Sequence, residues 1–174
     1  MSDVFFTADT HFGHGNCIKF CNRPFNSVEE MDDALISNWN SVIDKSSIVY
    51  HLGDFSFNGI TKYTERLNGN IHLIIGNHDR RKLCDGNFCS IQESRMLNIG
   101  EEEIFLSHFS HRVWNKSHFN VPMLFGHSHG TLSSYGKSFD CGVDTHNYFP
   151  YSWEEVKEIL KNLPDNPNIV KSKY

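Results

Sequence analysis

The chain has 174 residues, of which 39% are hydrophobic and 21% are charged, which is enough for a substantial apolar core. A net charge of −5 and a pI near 6.1 argue against a protein that binds nucleic acid non-specifically, because such proteins carry a basic surface. No apolar run approaches membrane-spanning length, no signal peptide fits before a strand that begins at Val4, and the five cysteines lack paired spacing. We therefore expect a single cytoplasmic domain over residues 1–174.

Strands and helices alternate in the first half of the chain. Apolar runs predict strands at Val4–Ala8, Ser47–Leu52 and Ile71–Ile75. Ser27 and Glu30 form a capping box before a predicted helix that ends near Ile43, and a shorter helix is predicted at Ile60–Leu67. Residues 12–26 have mixed composition and are predicted to form a loop.

Hairpin patterns dominate the second half. The predicted elements are a hairpin of Arg95–Ile99 with Glu103–Ser107, a strand at Met123–Phe125, a hairpin of Leu132–Tyr135 with Ser138–Cys141, and a helix at Trp153–Leu163 capped by Ser152. Alternating strands and helices followed by hairpins predict an α/β protein with two facing mixed sheets and outer helices.

Five polar motifs directly follow predicted strands. They are Asp9-Thr10-His11, Gly53-Asp54, Gly76-Asn77-His78-Asp79, Ser107-His108 and Gly126-His127-Ser128-His129. Open α/β folds place their chemistry at the carboxyl ends of strands, so these motifs are expected to meet at one end of the sheets. Any single motif is compatible with ordinary turn residues, whereas five in this order indicate a metal site.

The candidate ligands define the kind of metal site. They comprise two aspartates, one amide and four imidazoles: Asp9, His11, Asp54, Asn77, His108, His127 and His129. Oxygen and nitrogen donors of this kind favour a site for manganese, iron, zinc or nickel over a thiolate-rich structural zinc site. Seven ligands exceed the needs of one tetrahedral ion but serve two ions if one carboxylate bridges. We expect two divalent ions, with manganese as the first candidate and iron, zinc, nickel or magnesium as alternatives.

The order of the five motifs resembles that of the calcineurin-like metallophosphoesterase family. The stretch Asp9-Thr10-His11-Phe12-Gly13-His14 with Asn16, followed by Phe20-Cys21-Asn22-Arg23-Pro24-Phe25, further resembles a small bacterial and phage-type branch. The resemblance implies an αββα sandwich. It also implies one ion held by Asp9, His11, Asp54 and His129, and a second held by Asp54, Asn77, His108 and His127, with Asp54 as the bridge.

In the family, a His-Asp pair such as His78 and Asp79 supplies the general acid. A histidine titrates near neutral pH and can protonate a departing alkoxide, while Asp79 would orient the imidazole. The alternative is a purely structural role for His78. Further candidates for substrate contact are His14, Asn16, Arg23, Arg81 and His111. The alternative for each is a position on a solvated loop or helix face.

These features predict a two-metal hydrolase of phosphoric esters that acts as a phosphodiesterase or phosphatase on a small nucleotide-like ester. The chain departs from the protein-phosphatase branch, since Ile75 stands where that branch has an arginine before Gly-Asn-His. Two alternatives remain open: a nuclease or nucleic-acid end-processing enzyme, and a non-catalytic binding module on the same fold.

Overall fold

A computed structural model describes residues 3–170 of the chain. Within that range the strands are β1 (Val4–Thr7), β2 (Ile48–His51), β3 (Asn70–Ile74), β4 (Ser90–Gln92), β5 (Ser94–Ile99), β6 (Glu102–Ser107), β7 (Met123–Phe125), β8 (Ser138–Asp140) and β9 (Tyr151–Ser152). The helices are α1 (Gly15–Phe20), α2 (Val28–Val42), α3 (Ile60–Thr64), α4 (Arg81–Cys84) and α5 (Trp153–Asn162). No helix among these residues is both long and apolar enough to cross a membrane.

The strands form two mixed sheets. The first has the order β4-β3-β2-β1-β9, in which β1 to β4 run parallel and β9 pairs antiparallel with β1. The second has the order β5-β6-β7-β8, with an antiparallel β5/β6 pair and parallel β6, β7 and β8. Two mixed sheets flanked by helices confirm the predicted fold class.

Side-chain alternation along the strands builds a separate core on each face of the first sheet. Phe5 and Val49 pack with α2 and α3, where Trp39 is 1% exposed. On the opposite face, Phe6 and Leu52 belong to the core that the two sheets share, which α5 also joins. Because successive side chains of a strand point to opposite faces of the sheet, each of these strands contributes residues to both cores.

Helix boundaries follow local signals where these are present. Ser27 accepts a hydrogen bond from Glu30 N at the start of α2, and Ser152 forms a reciprocal capping box with Glu155 at the start of α5. The predicted loop at residues 12–26 is wrong in one part, since it contains α1. Only Cys17 of this six-residue helix is buried, so no apolar periodicity reveals it.

Two further predictions about strands need correction. The short strand β4 was not predicted, and the predicted hairpin of Leu132–Tyr135 with Ser138–Cys141 is wrong. β8 instead pairs in parallel with β7. Residues 131–134 are exposed and therefore lack the buried face that stabilises a strand.

The two sheets are joined where their functional ends meet. Ala8 after β1 forms an isolated parallel bridge with Gly142 after β8, and Val143 N donates to Ala8 O at 3.0 Å. Asp9 N donates to Gly53 O at 2.9 Å. The polar motifs that follow β1, β2 and the second sheet are thereby brought to one place.

Candidate metal centre

The backbone around the predicted ligands is unusual. Five of the seven lie in the left-handed region, with φ of 57° at Asp9, 49° at His11, 56° at Asp54, 69° at His127 and 48° at His129. Residues with a Cβ adopt this conformation at a cost of about 1–3 kcal/mol each, and such strain concentrates at functional sites. The fold therefore holds these side chains in position against local backbone preference.

Glycines allow the ligand loops to approach one another. A Cβ on Gly53 would lie 2.5 Å from His108 Nδ1, and a Cβ on Gly76 would collide with Asp54 Oδ1. A Cβ on Gly126 would lie 2.8 Å from Asp9 Oδ2. These motif glycines are thus required by the close packing of loops from different strands.

The predicted ligands converge in two clusters. The ligand atoms of Asp9, His11 and His129 lie within 4.8 Å of one another, as do those of Asp54, His108 and His127. Asn77 extends the second cluster, since its Oδ1 lies 3.1 Å from His108 Nε2. All seven residues proposed from the sequence are therefore found at one site.

Asp54 lies between the two clusters. Its Oδ2 is 3.6 Å from His11 Nε2 in the first cluster and 3.5 Å from His108 Nε2 in the second. Its Oδ1 accepts a hydrogen bond from His78 N at 2.8 Å, which orients the carboxylate. One carboxylate oxygen facing imidazoles from both clusters is the arrangement that a bridging ligand requires.

The unpartnered atoms of the site fit a divalent cation. Asp9 Oδ1 is buried without a hydrogen-bond partner, although Asp9 Oδ2 accepts from His127 N at 2.8 Å. Burial raises the pKa of Asp9 well above its usual value, and burial lowers the pKa of His11 to about 2. A cation would satisfy the orphaned oxygen and favour the ionised carboxylate, and the oxygen and nitrogen donors suit a borderline metal.

Hydrogen bonds made by Nδ1 orient the imidazoles of two predicted ligands, His108 and His129. His108 Nδ1 donates to Leu52 O at 2.8 Å, and His129 Nδ1 lies 2.7 Å from Asp144 Oδ2. Burial opposes protonation of His129, but the contacts with Asp144 and Cys21 and the charge of Asp9 together outweigh it and raise the pKa of His129 to about 10. Such partners would leave Nε2 available to bind a metal, and metal binding would release a proton from His129.

Asp144 contacts His129 and Arg23 at this site but is not among the site residues predicted from the sequence. Its only sequence signal is its position in Gly142-Val143-Asp144 after the strand β8, which parallels the other motifs. Asp140 supports the same region, because its Oδ2 accepts from Ser128 Oγ at 2.7 Å and Gly130 N at 2.8 Å. Two aspartates at the end of the second sheet thus hold the loop that carries His127 and His129.

The structure corrects the role predicted for Arg23. This residue is 4% exposed, and its guanidinium forms two 2.8 Å hydrogen bonds with the carboxylate of Asp144. It also donates to Asp9 O at 2.6 Å and to Thr10 O at 3.1 Å. Because its donors are engaged inside the protein, Arg23 supports the ligand loops and is not placed to bind a substrate phosphate.

We predict that Arg23→Ala lowers the free energy of unfolding by about 3–5 kcal/mol, because Asp144 would remain buried without its main partner. Arg66→Ala is the matched control, since Arg66 forms an exposed ion pair with Asp33 and should change stability by less than about 1 kcal/mol. Denaturant unfolding of both variants measures the difference. Equal losses would contradict the structural role of Arg23.

Asp79 also differs from its predicted role. Its Oδ2 accepts hydrogen bonds from Asp54 N and Gly76 N, both at 2.8 Å, and its Oδ1 accepts from Phe55 N at 2.9 Å. Among the hydrogen bonds of residues 3–170, none joins Asp79 to the ring of His78. The carboxylate links the loops after β2 and β3, so it positions Asp54 and does not orient the imidazole of His78.

The remaining substrate candidates divide into one that reaches the site and three that do not. His14 lies beside the first cluster, with its ring centroid 5.4 Å from that of His11 and stacked on Phe57 at 4.5 Å. Asn16 is exposed on α1, and Arg81 is exposed on α4. His111 bonds Ser107 Oγ at 2.9 Å, and these three do not line the cleft of the metal centre.

That cleft has a volume of about 760 Å³ and brings together ligands and neighbouring side chains. Besides His11, Asp54, His127 and His129, it is lined by His14 and His78. Its other lining residues are Cys17, Phe20, Cys21, Asn22, Ser128, Thr131 and Leu132, and none of these is among the site residues predicted from the sequence. The thiols of Cys17 on α1 and Cys21 just after this helix lie 3.5 Å apart.

The chain belongs to the calcineurin-like phosphoesterase superfamily, whose domain model matches residues 3–139. This confirms the resemblance, and with it the assignment as a hydrolase of phosphoric esters from a metal-dependent family.

Two relatives and one solved structure are similar to this chain over most of its length. The chain is 34% identical to the uncharacterized protein MJ1445 of Methanocaldococcus jannaschii, over 92% of this chain and 93% of that protein. It is 28% identical to the gene 66 protein of Mycobacterium phage L5, over 97% and 99% respectively. The crystal structure of AQ665 from Aquifex aeolicus, a protein of unknown function, superposes with a TM-score of 0.74 at 22% identity, covering 91% of this chain and all of that one, so it supports the fold alone.

Proposed function

We propose that the protein is a two-metal hydrolase that acts on a small, nucleotide-like phosphoric ester, as a phosphodiesterase or phosphatase. The observation that carries this proposal is the position of Asp54, with one carboxylate oxygen near imidazoles of both ligand clusters. A single-ion site would not need a carboxylate between two complete sets of donors.

The ligands would divide between two ions. Asp9, His11, Asp54 and His129 would hold the first, and Asp54, Asn77, His108 and His127 would hold the second. Manganese is the first candidate, with iron, zinc, nickel or magnesium as alternatives. When bound, such ions supply positive charge that stabilises the charge developing on the phosphoryl oxygens.

His78 is the residue that we propose as the general acid. Its backbone N donates to Asp54 Oδ1, which fixes it beside the metal centre, and its exposed ring lies 5.4 Å from the ring of His11. The ring lines the metal-centre cleft and also a second cleft that contains Arg80. From this position the imidazole can deliver a proton to the leaving-group oxygen of a bound ester.

The charge of the cleft favours a small substrate. Within residues 3–170, no lysine or arginine lines the metal-centre cleft, and the net charge of the chain is −5. A polyanion such as duplex DNA would therefore gain few cationic contacts beyond the metal ions. An ester with one phosphate at the metal centre needs no further contacts of that kind.

We therefore predict that the protein hydrolyses nucleotide-sized diesters faster than duplex DNA. Its activity should fall by only about tenfold or less between roughly 50 and 200 mM salt, because one or two phosphate contacts produce a shallow dependence. Initial rates on both substrates over this salt range provide the measurement. Tight, steeply salt-dependent binding of duplex DNA would favour the nuclease alternative.

The proposed function is tested by comparing a chromogenic phosphodiester with a chromogenic phosphomonoester, each with Mn²⁺ and with a chelator. We expect hydrolysis with Mn²⁺ and its loss with the chelator, and the ratio of the two rates distinguishes a diesterase from a monoesterase. Metal binding without hydrolysis of either ester would instead favour a non-catalytic binding module.

A further inference from the structure

One wall of the metal-centre cleft is apolar and open to solvent. Phe20, the last residue of α1, is 81% exposed, and Leu132 is 49% exposed. Both line the same cleft as the predicted ligands His11 and His129. Large apolar side chains at the rim of a polar site are features of small-molecule binding clefts, in which a few polar groups fix one end of the ligand.

The segment that carries Phe20 is firmly anchored. Cys21 N donates to Cys17 O at 2.9 Å and Arg23 N donates to Ile18 O at 2.9 Å, so the backbone on both sides of Phe20 is hydrogen-bonded. Arg23 ties the same segment to Asp144 and the ligand loops. The backbone from which the ring projects into the cleft is therefore held by the same contacts that support the candidate metal ligands.

The second cleft next to His78 has different chemistry. It has a volume of about 420 Å³ and contains Arg80 and Asn77, whereas the first contains no lysine or arginine among the described residues. An additional anionic group of a substrate would be attracted toward Arg80. An uncharged planar group would lie instead against the apolar wall of the larger cleft, where contact with Phe20 removes ring surface from water.

We propose that Phe20 and Leu132 form a binding site for a planar apolar group, such as a nucleobase or aryl ring, of the phosphate ester whose phosphate occupies the metal centre. This inference rests on the proposed function and specifies its substrate class. Phe20 acts through contact with the bound organic group and has no part in proton transfer.

The test measures binding of a non-hydrolysable phosphonate analogue of adenosine 5′-monophosphate, and of inorganic phosphate, to the Mn²⁺-loaded protein by calorimetry. Phe20→Ala should weaken binding of the nucleotide by about 5- to 100-fold, the range for losing one aromatic stacking partner, and leave phosphate binding unchanged. Phe20→Tyr should restore nucleotide binding because it keeps the aromatic face. Phe119→Ala is the control, since Phe119 is 68% exposed but lies outside this cleft.

The possible failures are distinguishable. Unchanged nucleotide affinity in Phe20→Ala overturns the inference but leaves the hydrolase proposal intact. Sedimentation of the same variants tests whether a second copy of the chain covers this wall instead. A wild-type dimer that Phe20→Ala dissociates, with nucleotide affinity unchanged, would show that the wall is a dimer interface. A wild-type protein that binds metal but neither phosphate nor nucleotide would remove the proposed function and the inference together.

Discussion

Asp54→Asn is expected to abolish hydrolysis and to reduce bound metal below two equivalents. The reason is the position of the carboxylate, whose Oδ2 lies 3.6 Å from His11 Nε2 and 3.5 Å from His108 Nε2. A neutral amide keeps the shape of the side chain but cannot balance the charge of two dications. We expect kcat to fall by at least about 10²- to 10³-fold, the range for removing one electrostatic group from an active site.

Metal content by elemental analysis, together with kcat, measures this effect. Asp32→Asn is the matched control, because Asp32 is a buried aspartate whose carboxylate bonds Tyr63 and Gly13 and does not touch the metal centre. The control should retain its metal and most of its activity. An Asp54→Asn protein that still binds two ions, or a wild-type protein that binds only one when metal is abundant, would contradict the bridging role.

His78→Ala is expected to lower kcat by about 10²- to 10⁴-fold for esters with alkyl leaving groups, the usual range for a lost general acid. The loss should be much smaller for nitrophenyl esters, since nitrophenolate departs without protonation. Metal content should remain near that of the wild type, because the His78 side chain is exposed and only its backbone contacts Asp54. The two classes of ester therefore separate proton transfer from metal binding.

A histidine outside the cleft provides the control for this experiment. His111→Ala removes an imidazole that bonds Ser107 Oγ and packs edge-on against Phe105, with a ring-centroid distance of 5.6 Å. This variant should hydrolyse both classes of ester at rates near those of the wild type. Equal losses for good and poor leaving groups in His78→Ala would show that His78 does not act as the acid.

Asp79 follows His78 in the sequence, but its carboxylate bonds the loops after β2 and β3. Its carboxylate accepts hydrogen bonds from three backbone amides. Burial raises the pKa of Asp79, and these hydrogen bonds oppose that rise. The hydrogen bonds of the Asp79 carboxylate are therefore made to backbone amides and not to the ring of His78. The neighbours of that ring are the imidazoles of His11 and His14, with ring-centroid distances of 5.4 and 6.2 Å.

Local sequence was sufficient for the elements that depend on local signals. The capping residues Ser27 and Ser152 mark the starts of α2 and α5, and the apolar run before Asp9 forms β1. Local signals did not predict segments whose conformation depends on tertiary contacts. The helix α1 buries only Cys17, and β4 is a three-residue edge strand next to β3, so neither has a periodic pattern to detect.

The sequence by itself determined which residue types gather at the metal centre. Each ligand motif directly follows its own strand, and parallel neighbours end at the same edge of a sheet, so convergence within each sheet follows from strand order. The meeting of the two sheet edges, at the bridge between Ala8 and Gly142, belongs to the tertiary structure. Tertiary structure decided what the remaining polar residues do. Arg23 and Asp144 pair across 121 positions of sequence, and Phe20 reaches the cleft because α1 is anchored there. Such roles depend on contacts between distant segments, and neither residue type nor spacing encodes them.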